Sequence, residues 1–212
     1  MHTSSAEVTR EYGPLPDVEG IHGVTYDGRQ VWFATDGRMN ALDPDSGRVL
    51  RSIDVPADAG TAFDGKHLFQ MAKGRIRKID PDTGRVLATI PAPDGQVSGL
   101  TWAEGFLWVG QYRERKIHQI DPETGAVLRS VQSNRHVTGV SWVDGDLWHG
   151  TWEDGASELR RVDASTGEVL EILEMPPGAA VSGLESDGRD LFFCGGADLG
   201  VVRTVRRPQP VR

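Results

Sequence analysis

The 212-residue chain is nearly devoid of cysteine: Cys194 stands alone. A lone cysteine cannot close an internal disulfide, so nothing in the sequence asks for an oxidising compartment, and a chain of this length buries a core without disulfides or metals. Basic residues are also scarce, 23 Lys+Arg against 31 Asp+Glu for a formal net charge of −8. Affinity for nucleic acid rests on Lys and Arg neutralising phosphates, so this balance argues against a nucleic-acid partner and, by the same reasoning, against an anionic membrane surface. No stretch approaches the roughly 18 apolar residues of a membrane-spanning helix. Met1 to Glu11 is polar and has no apolar run of the kind that marks a secretion signal. Helical periodicity of useful length is missing too. These absences lead to the expectation of a soluble, cytoplasmic, all-β protein.

Glycine, in contrast, is abundant, at 26 residues or about 12% against a usual figure of about 7%. Its positions are periodic. One phrase recurs as Asp43-Pro-Asp-Ser-Gly47, Asp80-Pro-Asp-Thr-Gly84, Asp121-Pro-Glu-Thr-Gly125 and Asp163-Ala-Ser-Thr-Gly167, with glycines 37, 41 and 42 residues apart. Asp bonds its own backbone, Pro presets φ for a type I turn, and Gly takes the left-handed position that closes a bulged hairpin. A second phrase precedes each turn: Gly23-Val-Thr-Tyr-Asp-Gly28, Gly60-Thr-Ala-Phe-Asp-Gly65, Gly99-Leu-Thr-Trp-Ala-Glu-Gly105, Gly139-Val-Ser-Trp-Val-Asp-Gly145 and Gly183-Leu-Glu-Ser-Asp-Gly188. An apolar-aromatic pair follows it, as in Val31-Trp32 and Leu107-Trp108.

Each unit of about 40 residues thus holds four short strands, A to D from the axis outward, which is the pattern of a β-propeller blade. Five A strands begin near residues 21, 59, 98, 138 and 182, so residues 1–212 read as a single five-bladed β-propeller domain with four antiparallel strands per blade. The fifth unit ends without a D strand, while Glu7-Val-Thr-Arg-Glu-Tyr12 alternates like an edge strand. The N-terminal segment 1–20 is therefore expected to supply strand D of the last blade and close the ring, removing an edge that would otherwise invite aggregation.

The A–B and C–D turns are short and stereotyped, whereas the D–A linkers and B–C loops on the opposite face vary. Loops that depart from a repeat are where binding residues concentrate. Trp32, Phe69, Trp108, Trp148 and Phe192, and likewise Tyr26, Phe63, Trp102 and Trp142, occupy equivalent positions and read as packing between blades. Trp152 instead leads into what reads as an irregular loop, Thr151–Ser157, and is a candidate for stacking on a ligand. Ser98, Thr138 and Ser182, with His22 and Ala59, precede the A-strand glycines and should line the channel mouth. No histidine has metal-ligand spacing, so neither a metal nor a cofactor is expected. His22 and His136 fall on the variable face and suit general acid–base work, with Glu153 as a third catalytic candidate. Gln111, Tyr112, Arg113, Arg135 and Asp154 share that face as substrate-binding candidates. His67, His118 and His149 read as packed or solvated, and Cys194 as a buried inert thiol.

The blade phrases, such as Ile21-His-Gly-Val-Thr-Tyr-Asp-Gly28 through Val31-Trp-Phe-Ala-Thr35 and Asp43-Pro-Asp-Ser-Gly47, resemble those of YVTN-type and virginiamycin B lyase-like propellers. The fourth blade, from Gly139 to Gly167, also resembles blades of the plant and bacterial glutaminyl-peptide cyclotransferases. The lyase resemblance implies seven blades, magnesium and histidine-based elimination, for which this chain is too short. The cyclotransferase resemblance implies five blades and a glutamate at the channel-lining position before an A-strand glycine. Those positions here read His22, Ala59, Ser98, Thr138 and Ser182, so the glutamate is not matched there. Two functions stay open: a lyase- or cyclotransferase-type enzyme acting on a small molecule or peptide at the channel mouth, or a non-catalytic propeller binding a small ligand or a partner protein on the same face.

Overall fold

In the computed structural model, which describes residues 2–209, 21 strands form five sheets and no described residue is helical. The chain opens with β1 (His2–Ser5) and β2 (Val8–Tyr12). Blade 1 follows as β3 (Gly23–Tyr26), β4 (Val31–Thr35), β5 (Arg38–Leu42) and β6 (Val49–Asp54). Blade 2 is β7 (Thr61–Phe63), β8 (Leu68–Ala72), β9 (Arg75–Ile79) and β10 (Val86–Pro91); blade 3 is β11 (Val97–Ala103), β12 (Phe106–Gln111), β13 (Lys116–Ile120) and β14 (Val127–Gln132). Blade 4 is β15 (Val137–Val143), β16 (Asp146–Glu153), β17 (Ala156–Val162) and β18 (Val169–Glu174). Blade 5 contributes β19 (Leu184–Ser186), β20 (Leu191–Gly195) and β21 (Val202–Arg206). No helix among the described residues is long and apolar enough to cross a membrane.

The Asp-Pro phrase, with its Asp163-Ala variant in blade 4, builds the C–D turns of blades 1 to 4 as its chemistry requires. Asp80 Oδ1 accepts the N–H groups of Asp82 and Thr83 at 2.9 and 3.2 Å, and Gly84, at φ 71°, donates to the Asp80 carbonyl at 2.9 Å. The register then slips between Val86 and Ala88, which is the expected bulge.

Glycine also explains how five sheets meet at one axis. A Cβ added at Gly23 would lie 2.5 Å from the Ala59 carbonyl oxygen of blade 2, one at Gly99 would lie 2.5 Å from the Thr138 oxygen of blade 4, and one at Gly183 would lie 2.6 Å from Val24 N of blade 1. Neighbouring A strands pack backbone to backbone, and the contacts run β3–β7–β11–β15–β19 and back to β3. The ring is closed at five. Farther out, the repeated aromatics bridge neighbouring blades: Phe69 stacks on Trp102 at 5.4 Å, Trp108 on Trp142 at 5.2 Å, and Trp148 meets Phe192 at 5.0 Å. Trp32, Phe69, Trp108, Trp148 and Phe192 are all buried.

The N-terminal strand closes the last blade, with β2 antiparallel to β21 from Val8↔Val205 to Tyr12↔Val202. Ion pairs Glu11–Arg203 at 2.6 Å and Glu7–Arg206 at 2.7 Å reinforce the seam. Two local expectations need correction. Residues 2–5 do not belong to blade 5; β1 pairs in parallel with β18 as a fifth, outermost strand of blade 4. Thr151–Ser157 is not an irregular loop, because β16 and β17 stay in register to Glu153↔Ala156 around a tight Asp154-Gly155 turn with both residues at positive φ.

Candidate active site at the channel mouth

The A strands run inward from the variable face, and their residues two positions after the glycine form a ring at one level of the channel: Thr25, Ala62, Thr101, Ser141 and Glu185. Small side chains suit a crowded axis, so the glutamate departs from the repeat. Its carboxyl reaches three other blades. Thr25 and Thr101 donate hydroxyls to Oε2 at 3.1 and 3.4 Å, and Ser141 donates to Oε1 at 2.8 Å. The backbone N–H of Ser186 donates to Oε1 at 2.9 Å. A group belonging to blade 5 that bonds blades 1, 3 and 4 lies on the axis. Glu185 is partly exposed as a residue, yet protein surrounds its carboxyl. This burial pushes its pKa up to about 7, against the hydrogen bonds from Ser141, Ser186, Thr25 and Thr101 that favour the ionised form.

Glu185 was not among the sequence candidates. The cyclotransferase resemblance implies a glutamate before the A-strand glycine, whereas Glu185 stands two residues after it. A charged residue aligned with Thr25, Ala62, Thr101 and Ser141 was the signal that could have found it.

On the variable face, at the level of the residues that precede the A-strand glycines, lies a depression of about 420 Å³ lined by His22, Asp58, Ser98, Tyr112, Thr138, Ser182 and Asp198, among others. His22 Nε2 lies 2.6 Å from Asp36 Oδ1 and is about one-third exposed, so it sits on the rim with a carboxylate partner. Ser98 donates to the Val137 carbonyl at 2.8 Å, and Ser182 donates to the Ile21 carbonyl across the joint between blades 5 and 1. Thr138 has a buried hydroxyl with no hydrogen-bond partner among the described residues. A second pocket of about 410 Å³ shares Tyr112, Thr138, Ser182 and Asp198 with the first and extends over Trp152, Val181 and Leu199.

The other sequence candidates lie beside this depression in a charged network. The His136 ring stacks on Tyr112 at 4.6 Å. Its Nδ1 donates to the Tyr112 carbonyl at 3.0 Å, while Arg115 Nη2 approaches Nε2 at 3.4 Å. Arg115 also pairs with Glu153 at 2.6 Å. Arg135 lies 3.8 Å from Glu153 and 3.6 Å from Glu158, and Arg160 pairs with Glu158 at 2.7 Å. His136 and Glu153 therefore have their proton-accepting atoms occupied by arginine. Gln111 is buried away from the mouth, donating to the Asp94 carbonyl at 2.5 Å and accepting from His118 Nε2 at 2.8 Å. Arg113 and Asp154 are exposed.

His149 is buried and bonds the Gly150 carbonyl at 3.1 Å; burial lowers its pKa to about 4. The Cys194 thiol is buried and pushed up to about 12, well outside reactive range. Among the described residues, no group of three His, Cys, Asp or Glu side chains is placed to hold a metal ion.

A family model described as outer membrane protein assembly factor BamB matches residues 35–127 and 72–203. No curated protein matches the chain significantly by sequence. Among solved structures, the glutaminyl cyclase of Myxococcus xanthus is similar over 97% of both chains with a TM-score of 0.79 at 17% identity. Hydrazine synthase of Kuenenia stuttgartiensis aligns with 84% of this chain and 56% of its own at a TM-score of 0.53, also at 17% identity. At these identities the likeness concerns the fold.

Proposed function

Since this chain belongs to the repeat family described as outer membrane protein assembly factor BamB and shares the fold of a glutaminyl cyclase along its whole length, we propose that it is a cyclotransferase-type enzyme that converts N-terminal glutaminyl residues to pyroglutamyl residues. The observation that carries this reading is Glu185, a carboxyl on the channel axis, held by three hydroxyls and one N–H and poised near neutrality. Cyclisation needs a group that takes a proton and then gives one back, and a pKa near the working pH serves both halves.

The substrate's α-amine attacks its own γ-amide carbon, forming the ring C–N bond. Glu185 accepts the proton that this amine sheds. The tetrahedral intermediate then collapses, the bond to the amide nitrogen breaks, and the Glu185 carboxyl returns its proton so that ammonia leaves. Each turnover leaves the carboxyl as it began. Thr25, Thr101 and Ser141 fix the carboxyl in place, which limits the reorganisation needed during transfer. His22 and its Asp36 partner stand on the rim, where they contact the substrate's flanking chain.

Incubation with a peptide bearing N-terminal glutamine, with ammonia and the cyclised product followed by mass spectrometry, tests the reading. Turnover by the native chain and a fall of about 10²–10⁴-fold in Glu185→Gln are expected. Absence of product, or equal turnover in both, would overturn it. A non-catalytic propeller binding a peptide or protein on the same face is the second reading, favoured by the engagement of both His136 and Glu153 with arginine. It predicts peptide binding without ammonia release.

A further inference from the structure

The proton transfers above leave unused the second pocket, the compartment of about 410 Å³ that opens sideways from the mouth. Its walls are apolar: Trp152 from the end of β16, Ala180 and Val181 from the linker into blade 5, and Leu199 from the β20–β21 loop, with bare floor at Gly178 and Gly196. Leu199 is 49% exposed. The other exposed large apolar side chains are the Val–Leu pairs that begin the D strands of blades 1 to 3, so Leu199 is the one that borders the channel mouth. Neither this pocket nor the mouth is lined by a lysine or arginine, whereas Asp198 stands on their shared border and Asp58 within the mouth.

An apolar compartment beside a carboxylate rim complements a ligand that carries a cationic amine next to a large apolar group. The channel sets the order of the two. Ser182 at the mouth and Glu185 at the carboxyl ring are three residues apart along the inner strand of blade 5, a depth of about 10 Å at roughly 3.3 Å per residue. A peptide whose terminal residue points from the mouth towards Glu185, amine first, has its second residue level with the sideways pocket.

Resting on the cyclotransferase reading, we propose that the pocket of Trp152, Val181 and Leu199 selects peptides with a free amino terminus and a large apolar second residue. Asp198 and Asp58 draw in the ammonium group and disfavour an acidic second residue. A free amino acid, which carries its carboxylate where the apolar side chain would sit, is a poor ligand.

Two measurements test this. The first is kcat/KM for peptide amides of sequence Gln-Xaa-Gly, with Leu, Phe, Gly or Asp as Xaa. Full burial of a Leu or Phe side chain supports about a 10–100-fold advantage over Gly. Leu199→Gln and Trp152→Ala should erase that advantage by raising KM for the Leu and Phe peptides. The second is an NMR titration of the native chain with Ala-Leu-Gly amide, its N-acetyl form and Ala-Gly-Gly amide, which reads binding without turnover. Preferential binding of the free-amine Leu peptide supports the proposal even where no cyclisation occurs, an outcome that would overturn only the enzymatic reading. Cyclisation with no Leu-over-Gly preference, or equal binding of all three titrants, would overturn the proposal.

Discussion

Ser141 on the inner strand of blade 4 donates its hydroxyl to Glu185 on the inner strand of blade 5 at 2.8 Å, and the N–H of Ser186 then reaches both Ser141 Oγ at 3.1 Å and the carboxyl at 2.9 Å. This bond favours the ionised carboxyl in a place where burial disfavours it. Replacing Ser141 by Ala removes that donor, so the Glu185 pKa should rise further, by about one unit. A carbon-13 NMR titration of labelled glutamate reads the shift directly, and the acid limb of the pH–rate profile should move with it. A titration curve unchanged from the native protein would contradict this account of the axis.

The same carboxyl links stability to pH. Its pKa is raised from 4.5 in the unfolded chain to about 7 when folded, so the folded state binds the extra proton between those values. The stabilisation is fully present below about 4.5 and is lost as pH rises through about 7. Glu185→Gln mimics the protonated form at every pH. Its melting temperature should exceed that of the native chain at pH 8.5 and match it near pH 4.5, a difference of up to about 3 kcal/mol at roughly 1.4 kcal/mol per unit. Scanning calorimetry at the two pH values provides the check.

His149 acts in the opposite direction. Its pKa falls from 6.5 to about 4 on burial, so the unfolded chain takes up a proton that the folded chain refuses. The resulting stability is present above about 6.5 and is lost as pH falls towards 4. The equivalent positions in the other blades are Phe33, Gln70, Val109 and Phe193. In His149→Phe, acid unfolding monitored by tryptophan fluorescence should begin at lower pH than in the native chain.

Gly99 and Gly105 separate two uses of glycine. A Cβ at Gly99 would press on the Thr138 oxygen at 2.5 Å and Val140 N at 2.6 Å, while one at Gly105 meets open space and only a positive φ of 86° opposes it. Gly99→Ala should cost several kcal/mol or prevent folding, because backbone on two sheets must move. Gly105→Ala should cost about 1 kcal/mol, the strain of a side chain at positive φ. Urea denaturation of both variants ranks them.

The sequence carried the scaffold because the scaffold is repeated. The A-strand glycines and the buried aromatics recur at one position per blade, and the Asp-led turns in blades 1 to 4, so every copy corroborates the others. Ring closure through Val8–Tyr12 was legible because blade 5 lacked a strand and the N-terminus offered one. Glu185 was harder, because a departure from the repeat appears once. The register that exposed it, alignment with Thr25, Thr101 and Ser141, becomes decisive only when those side chains converge. β1 gave no signal at all: His2-Thr-Ser-Ser5 has no apolar alternation, and its pairing with β18 rests on backbone hydrogen bonds. Asp154-Gly155, conversely, is a tight-turn dipeptide that marks the hairpin carrying Trp152, and its meaning was available in the sequence.

The pairing of β2 with β21 sets the order in which the molecule can be completed during synthesis. The four antiparallel strands of each of blades 1 to 4 are contiguous in sequence and can form as they leave the ribosome, β1 being the one distant strand added to blade 4. The fifth draws one strand from residues made before blade 1 and three from residues made after blade 4, some 190 positions away. Until β21 emerges, β2 has no partner and the inner strands enclose no axis. The Glu185 site is therefore assembled in a single late event, and a nascent chain short of its last blade carries neither a channel nor a carboxyl within it.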